Sequence, residues 1–358
     1  MVMVLSNSLS ATRRASAHVL RARAGLASAA PVVNIPIIDF SGYRTAGSIS
    51  ERRKTADSIV NAFKDSGFFY LKGHGIPDAT VKNVFERSAR FFELPHSSKA
   101  KLAWEDPRSN RGYVQIGRER VTQSSDAAEI AAMRAAAPDF KETMEIGRDW
   151  DKKWQNMWPE EAEAPHFRET MLAFFQTCHD LHVSVMRAIA LGLDLEEAFF
   201  EKHIDEQYHN LRLLNYPPIK TRLLHGAGQA RAGAHSDYGT LTLLFQDNVG
   251  GLEVQNPTTQ EYQPARPIPG TIVINCGDLL ARWSNDVLKS TLHRVVAPPA
   301  LPISDTEGMT PRRQSVAFFA NPNQNAEIAC LPNCGKEAKY PPVTTEDYIV
   351  GRLSATYT

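Results

Sequence analysis

The sequence predicts a fold that is mainly β with flanking helices: a mixed helical N-terminal part, then a β-rich C-terminal part. Two patterns point there. In the first two hundred residues, apolar positions recur at helical spacing in three separate windows. From about Leu211, short β-branched and aromatic runs follow one another, punctuated by Gly and Pro. Such runs build a β-sandwich or barrel. The composition permits a sizeable core, since 42% of the 358 residues are hydrophobic and 22% charged, which excludes a mostly disordered chain. At about 150 residues per domain, two domains or one large domain fit this length.

The elements follow in chain order. Residues 1–38 contain Arg13, Arg14, Arg21 and Arg23 but no acid, because the first acidic residue is Asp39. These arginines alternate with Leu5, Leu9, Val19, Leu20 and Leu26 in a Ser/Ala-rich background. That is the composition of a mitochondrial transit peptide, with a leader lacking any address as the other reading. Residues 1–33 therefore stand outside the expected core, and the compartment is either cytoplasmic or mitochondrial. Asn34–Phe40 alternates and is β-branched, so a first strand is expected. Glu51–Asp65 places Ala56, Ile59, Val60 and Phe63 at helical spacing, and Gly67 ends it. Phe68–Lys72 suits a strand and Ala79–Phe92 a second helix. Trp104–Arg120 is polar and Arg-rich, and Ala127–Ala137 is Ala-rich. Pro165–Leu193 contains a long helix with Met171, Phe174, Phe175, Cys178, Leu181, Val185 and Ile189 on one side. Strands are then expected at Thr240–Gln246, Gly251–Gln255, Thr271–Cys276, Leu292–Ala297 and Gln314–Asn321.

Charge and cysteines exclude several function classes. Lys+Arg and Asp+Glu are both 40, so no whole-protein attraction to nucleic acid or an anionic membrane is expected. No run approaches the roughly 18 apolar residues of a spanning helix, so a protein without membrane spans is expected. Four cysteines make no disulfide scaffold and fit a reducing compartment.

One constellation carries chemistry. His235 and Asp237 lie two apart in AGAHSDYGTLTLL, and on a strand such residues share a face. A third ligand is needed, and His293 in STLHRVV supplies it. Two imidazoles and one carboxylate leave half of an ion's shell open, the facial triad of non-haem Fe(II) oxygenases. Further on, alternation in RQSVAFFANP puts Arg313, Ser315, Ala317 and Phe319 on one face. A guanidinium with a hydroxyl two residues on suits a carboxylate ligand. Pairing of Arg313 with a protein Asp or Glu is the plainer reading of that residue alone. Arg312 stands on the other face. Tyr216, before a Pro pair, places a phenol near the barrel mouth or else in the core.

These segments together resemble the Fe(II)- and 2-oxoglutarate-dependent dioxygenases, nearest to the isopenicillin N synthase-like branch and its fungal members. The resemblance covers roughly residues 34–357 and includes IPIIDFSGY, DSGFFYLKGHGIP, INCGDLLARWSNDVLKSTLHRVV and PPVTTEDYIVGRLSATY. It implies a distorted double-stranded β-helix, or jelly roll, wrapped by helices. The implied plan is a leader (1–33), an N-terminal dioxygenase-type region (34–150), linking helices (151–204), the jelly-roll core (205–325) and a C-terminal segment (326–358). It also implies that His235, Asp237 and His293 bind Fe(II), and that Arg313, Ser315 and Tyr216 hold 2-oxoglutarate. Tyr113 and Phe319 match positions that face the substrate in relatives. The implied reaction couples 2-oxoglutarate decarboxylation and O2 to hydroxylation, desaturation or ring closure of a small metabolite, in secondary metabolism for many such enzymes. A small-molecule substrate, no nucleic-acid or membrane partner, and a monomer are expected. A 2-oxoglutarate-independent Fe(II) oxidase, of the isopenicillin N synthase or aminocyclopropane carboxylate oxidase type, is the alternative. Nineteen residues separate His293 from Arg313, more than in many plant members, and this Pro-rich stretch reads as a surface loop. The Asn of Asn215-Tyr216 is displaced relative to plant members, which puts Asn215 in doubt as a cosubstrate ligand.

Other signals are set aside. His179 and His182 have possible ligand spacing on the long helix but no evident third partner, so exposed helical histidines are expected. Cys330 and Cys334 lack companions for a zinc site. Gly250-Gly251 reads as a hairpin turn, and Arg108, Arg111, Arg118 and Arg120 as a solvated loop.

Overall fold

The structure is a computed structural model that describes residues 34–44, 47–104, 106, 109–118, 139–224, 230–297 and 308–357. The leader and the Ala-rich stretch lie outside the described residues. Short helix α1 (Ser41–Arg44) precedes α2 (Ile49–Asp65). Helix α2 starts two residues before the apolar pattern, because Ser48 and Glu51 form a reciprocal capping box. Its buried face is Ala56, Ile59, Val60, Ala62 and Phe63. Gly67 then turns the chain at φ +74°, where a Cβ would lie 2.3 Å from the Lys289 carbonyl oxygen. Only glycine accepts both the left-handed backbone and that approach. Helices α3 (Asp78–Glu93) and α4 (His96–Ala100) follow.

The long helix α5 (Phe167–Gly192) buries all seven apolar positions read from the sequence. It lies against one face of the larger sheet, where Phe174 meets Phe245 at 5.0 Å and Phe175 meets Phe318 at 5.3 Å between ring centroids. Each such ring contributes roughly 1.5–3 kcal/mol by burial. Because strand side chains alternate, packing Phe245 and Phe318 against α5 turns Leu244, Ala317 and Phe319 to the opposite face.

Fourteen strands are described. They are β1 (Ile37–Asp39), β2 (Phe68–Lys72), β3 (Gly112–Val114), β4 (Glu142–Ile146), β5 (Asn210–Tyr216), β6 (Ala232–His235), β7 (Leu241–Gln246), β8 (Leu252–Gln255), β9 (Tyr262–Pro264), β10 (Thr271–Cys276), β11 (His293–Val295), β12 (Arg313–Ala320), β13 (Glu327–Ile328) and β14 (Val343–Thr344). One eight-stranded sheet has the order β1-β2-β10-β7-β12-β5-β4-β3, and a four-stranded sheet has β6-β11-β8-β9. Phe68, Leu214, Tyr216, Ala232, Leu252, Val254, Val273, Val295 and Ala317 join the two sheets in an apolar layer. Mainly β architecture with flanking helices is therefore what the chain forms. The N-terminal region is built into it, because β2 pairs along β10 from Phe68 to Lys72. Strands β3 and β4 extend the sheet through stretches that the sequence reading left without strands. Helices α6 (Asp278–Trp283) and α7 (Thr345–Tyr357) complete the described chain.

The long spacing before β12 ends in a clasp. Thr310 N–H donates to the Ile219 carbonyl at 2.8 Å, Ile219 N–H to Thr310 Oγ1 at 3.0 Å, and Thr221 N–H to the Gly308 carbonyl at 2.9 Å. Among the described residues no helix is long and apolar enough to cross a membrane. All four cysteines are free.

Candidate active site

Strands β6 and β11 are antiparallel neighbours with His235 directly opposite His293. Their rings lie 4.3 Å apart between centroids. Asp237, two residues past His235, brings Oδ1 to 3.8 Å from His235 Nε2 and 3.7 Å from His293 Nε2. Each Nδ1 is already committed: His235 Nδ1 donates to the Gly233 carbonyl at 2.7 Å and His293 Nδ1 to the Thr291 carbonyl at 3.2 Å. Those bonds occupy Nδ1 and leave both Nε2 atoms facing Asp237. The carboxylate is oriented in the same way. Thr242 Oγ1 donates to Asp237 Oδ2 at 2.5 Å and Asn275 Nδ2 at 2.7 Å, which leaves Oδ1 for a ligand. Burial and the neighbouring His293 push the His235 imidazolium down to about 3, so it is neutral. Burial alone would raise the Asp237 carboxyl; the two imidazoles and the bonds from Thr242 and Asn275 outweigh it and hold the carboxyl below its ordinary value. Two imidazole Nε2 atoms and one carboxylate oxygen converging from three directions fit Fe(II) with open positions.

The other end of the same pocket is lined by Arg313, Ser315 and Tyr216. Arg313 and Tyr216 are opposed across β12 and β5. The guanidinium is 1% exposed, lies 4.7 Å from the Tyr216 ring centroid, and donates weakly to Ser315 Oγ at 3.4 Å. Its Nε is buried without a hydrogen-bond partner. Among the described residues no protein carboxylate pairs with it, which removes the plainer reading of Arg313. A buried guanidinium in that state fits an anionic ligand. Arg312, one residue earlier, faces the opposite side and bonds Glu93 and Asn215.

Phe319 lines the pocket near the His–Asp–His cluster, opposed across β12 and β7 to the Thr242 that holds Asp237. The Arg212 guanidinium lies 5.2 Å from its ring centroid. Arg212 is held by Glu145, whose side chain is fully buried. Phe68 packs edge-on to His293 at 5.5 Å. The structure does not bring Tyr113 to this pocket. It opposes Met144 on β4, and its hydroxyl donates to Glu142 on the helix-covered side of the sheet. Asn215 also faces that side, donating to Glu142 Oε1 at 2.8 Å. Sequence reasoning missed Arg212, Lys141, Thr242 and Asn275, all of which line the pocket. The i, i+2 parity with Leu214 and Tyr216 was the available signal for Arg212.

A second histidine cluster lies elsewhere. His179 and His182, expected on the surface, are buried together with His209, their ring nitrogens within 4.8 Å. The bonding argues against an ion there. Asn321 N–H donates to His209 Nδ1 at 3.0 Å, so the His209 proton sits on Nε2 and is shared with His179 Nδ1 at 3.1 Å. Thr240 Oγ1 donates to the Ala320 carbonyl and therefore accepts from His182 Nε2. The three rings form a hydrogen-bonded tie between α5 and the sheet.

The comparisons with known proteins agree with this geometry. Residues 35–161 match the model of the non-haem dioxygenase N-terminal region, named for morphine synthesis, and residues 208–322 match that of the 2OG-Fe(II) oxygenase superfamily. The chain belongs to the 2OG-Fe(II) oxygenase superfamily. This oxygenase is 34% identical over 344 residues to the 2-oxoglutarate-Fe(II) type oxidoreductase ppzD of Metarhizium majus, covering 91% of this chain and 96% of the relative. It is 35% identical over 306 residues to the proline hydroxylase buaE of Petromyces alliaceus, covering 84% and 92%. Among solved structures, a full-length Neurospora crassa protein in complex with alpha-KG (2-oxoglutarate) and thymine superimposes with a TM-score of 0.82 at 44% identity, covering 90% of this chain and 97% of that one. The same neighbour has also been solved with alpha-KG and 5-formyluracil. The core of the oxygenase is thus the double-stranded β-helix, and its cofactors are Fe(II), 2-oxoglutarate and O2.

Proposed function

We propose that this Fe(II)- and 2-oxoglutarate-dependent oxygenase oxidises a small planar molecule with oxygen acceptors, a pyrimidine base of the thymine kind. His235, Asp237 and His293 hold the iron, Arg313, Ser315 and Tyr216 hold 2-oxoglutarate, and Phe319 with Arg212 forms the substrate wall. The observation that carries the cosubstrate reading is the buried Arg313 whose Nε lacks a partner. The observation behind the substrate reading is the guanidinium of Arg212 fixed by Glu145 above the Phe319 ring. A ring substrate stacks on the phenyl face, and a guanidinium donates to its carbonyl oxygens. The thymine and 5-formyluracil complexes of the Neurospora crassa neighbour support that class.

Bound together, Fe(II) and 2-oxoglutarate supply an O2-derived oxidant, with 2-oxoglutarate leaving as succinate and CO2. The chain's own residues do the positioning. Thr242 and Asn275 fix which Asp237 oxygen faces the ion. Gly233 and Thr291 fix both imidazole tautomers. Arg313 neutralises one carboxylate of the cosubstrate and sets its distance from the triad. Leu244, Leu252, Val295 and Ala317 exclude water from the intervening space.

The test is an anaerobic Fe(II)/2-oxoglutarate titration followed by aerobic turnover with thymine and uracil. The expected result is succinate formation that depends on the base, with an oxidised base detected by mass spectrometry. Succinate release that ignores every pyrimidine overturns the substrate reading. Oxygen consumption with a substrate but no succinate overturns the cosubstrate reading.

A further inference from the structure

Lys141 belongs to no residue set read from the sequence, yet it lines the pocket with the triad and Arg313. It immediately precedes β4, one step beyond the Glu142–Asn215 pair, at the level of Tyr216. Across β5, Tyr216 is opposed to Arg313. Lys141, Tyr216 and Arg313 therefore occupy one row across three neighbouring strands, on the inner face by parity with Thr143 and Leu214. The Lys141 side chain is 2% exposed, and its Nζ lies 2.9 Å from Asp139 Oδ2. Asp139 has a second duty: its Oδ1 accepts from Gly233 N–H at 3.1 Å, on the strand that carries His235. The ammonium thus sits where the row of Tyr216 and Arg313 meets the iron strand.

We infer that Lys141 is a further 2-oxoglutarate-binding residue, its ammonium held by Asp139 and donating to an oxygen of the cosubstrate between the iron and Arg313. A 2-oxo diacid carries oxygen acceptors at both ends and at its keto carbon. Stretched from the triad to Arg313, it passes the wall that Lys141 forms. An ammonium donates in three directions, so a bond to Asp139 is compatible with one to a ligand. The inference rests on assigning the Arg313 end of the pocket to 2-oxoglutarate.

Binding of 2-oxoglutarate to the Fe(II)-loaded full chain is measured anaerobically, by calorimetry and by the visible absorption of the complex. Iron binding alone is titrated in parallel. K141M is expected to raise the 2-oxoglutarate Kd about tenfold, the loss of one charge-assisted hydrogen bond, with K141R recovering most of it. Iron affinity should stay within about twofold of wild type in both, since Lys141 is placed on the diacid and not on the ion. Removing the ammonium strands the buried Asp139 carboxylate, so the double variant D139N/K141M is measured as well. Asparagine keeps an oxygen for Gly233, and thermal melting confirms the fold. An unchanged 2-oxoglutarate Kd in K141M and the double variant overturns the inference. So does a loss of 2-oxoglutarate binding that merely tracks a loss of iron, which makes Lys141 a structural strut. If R313M leaves 2-oxoglutarate binding intact, the pocket assignment falls and this inference with it. If R313M weakens binding and K141M does not, only the inference falls.

Discussion

Asn275 donates to Asp237 Oδ2 at 2.7 Å from β10 of the larger sheet, so the carboxylate that converges with His235 and His293 is aimed by a residue thirty-eight positions away. With Thr242 on the same oxygen, the carboxylate has one orientation. Asn275→Ala is expected to weaken Fe(II) binding about 10- to 100-fold, the usual cost of removing such a support. Thr242→Val should act in the same direction, and Asn275→Ser should recover part of the loss. Metal titration of the apo-protein decides it; unchanged affinity in both variants refutes the orienting role.

Arg313→Met should weaken 2-oxoglutarate binding on the order of a hundredfold, about 3 kcal/mol for a buried charge pair with its ligand. Arg313→Lys should fall between, because a point charge cannot reproduce the guanidinium fork. Iron binding should be untouched in both. Calorimetry with and without 2-oxoglutarate separates the two effects.

Phe319→Ala and Arg212→Met should raise KM for the prime substrate about tenfold or more, through loss of stacking area and of a donor. The KM for 2-oxoglutarate should hardly move. Steady-state kinetics with each reactant varied in turn tests this division; a parallel rise in both constants would mean that the pocket has collapsed. Tyr113→Phe, which removes only the bond to Glu142 away from the pocket, should leave both KM values near wild type.

The buried histidine tie makes the fold acid-sensitive. Burial pushes His182 down to about 3 and His209 well below its ordinary 6.5. Both are neutral in the folded chain and take up protons when unfolded, so stability rises with pH in this window. The loss begins as pH falls below the unfolded value of 6.5 and, for His182, continues to about 3. Each unit of pH in that window costs about 1.4 kcal/mol per histidine. Urea unfolding at about pH 7.5 and about pH 5.5 should show the drop, and His182→Gln should reduce its slope. Equal slopes in the two chains would contradict it.

The sequence was most legible where alternation and chemistry coincide. In β12 the parity of Arg313, Ser315, Ala317 and Phe319 foretold the inner face, and the i, i+2 spacing of His235 and Asp237 foretold convergence. The apolar stripe of α5 foretold its buried side. Strand β4 was not legible, because Glu142 and Glu145 are charged residues buried on opposite faces, and no hydrophobic pattern survives that. Their partners, Lys99 and Arg212, are distant in the chain. His179 and His182 misled for the same reason. What keeps them inside is His209, Asn321 and Thr240, which no spacing rule connects to the helix.

The clasp between Ile219 and Thr310 has a consequence for how such a chain can vary. It pins the backbone three residues ahead of Arg313, so the register of β12 is set from the clasp onward. A single residue inserted after the clasp would rotate the Arg313 guanidinium onto the helix side and turn Arg312 into the pocket.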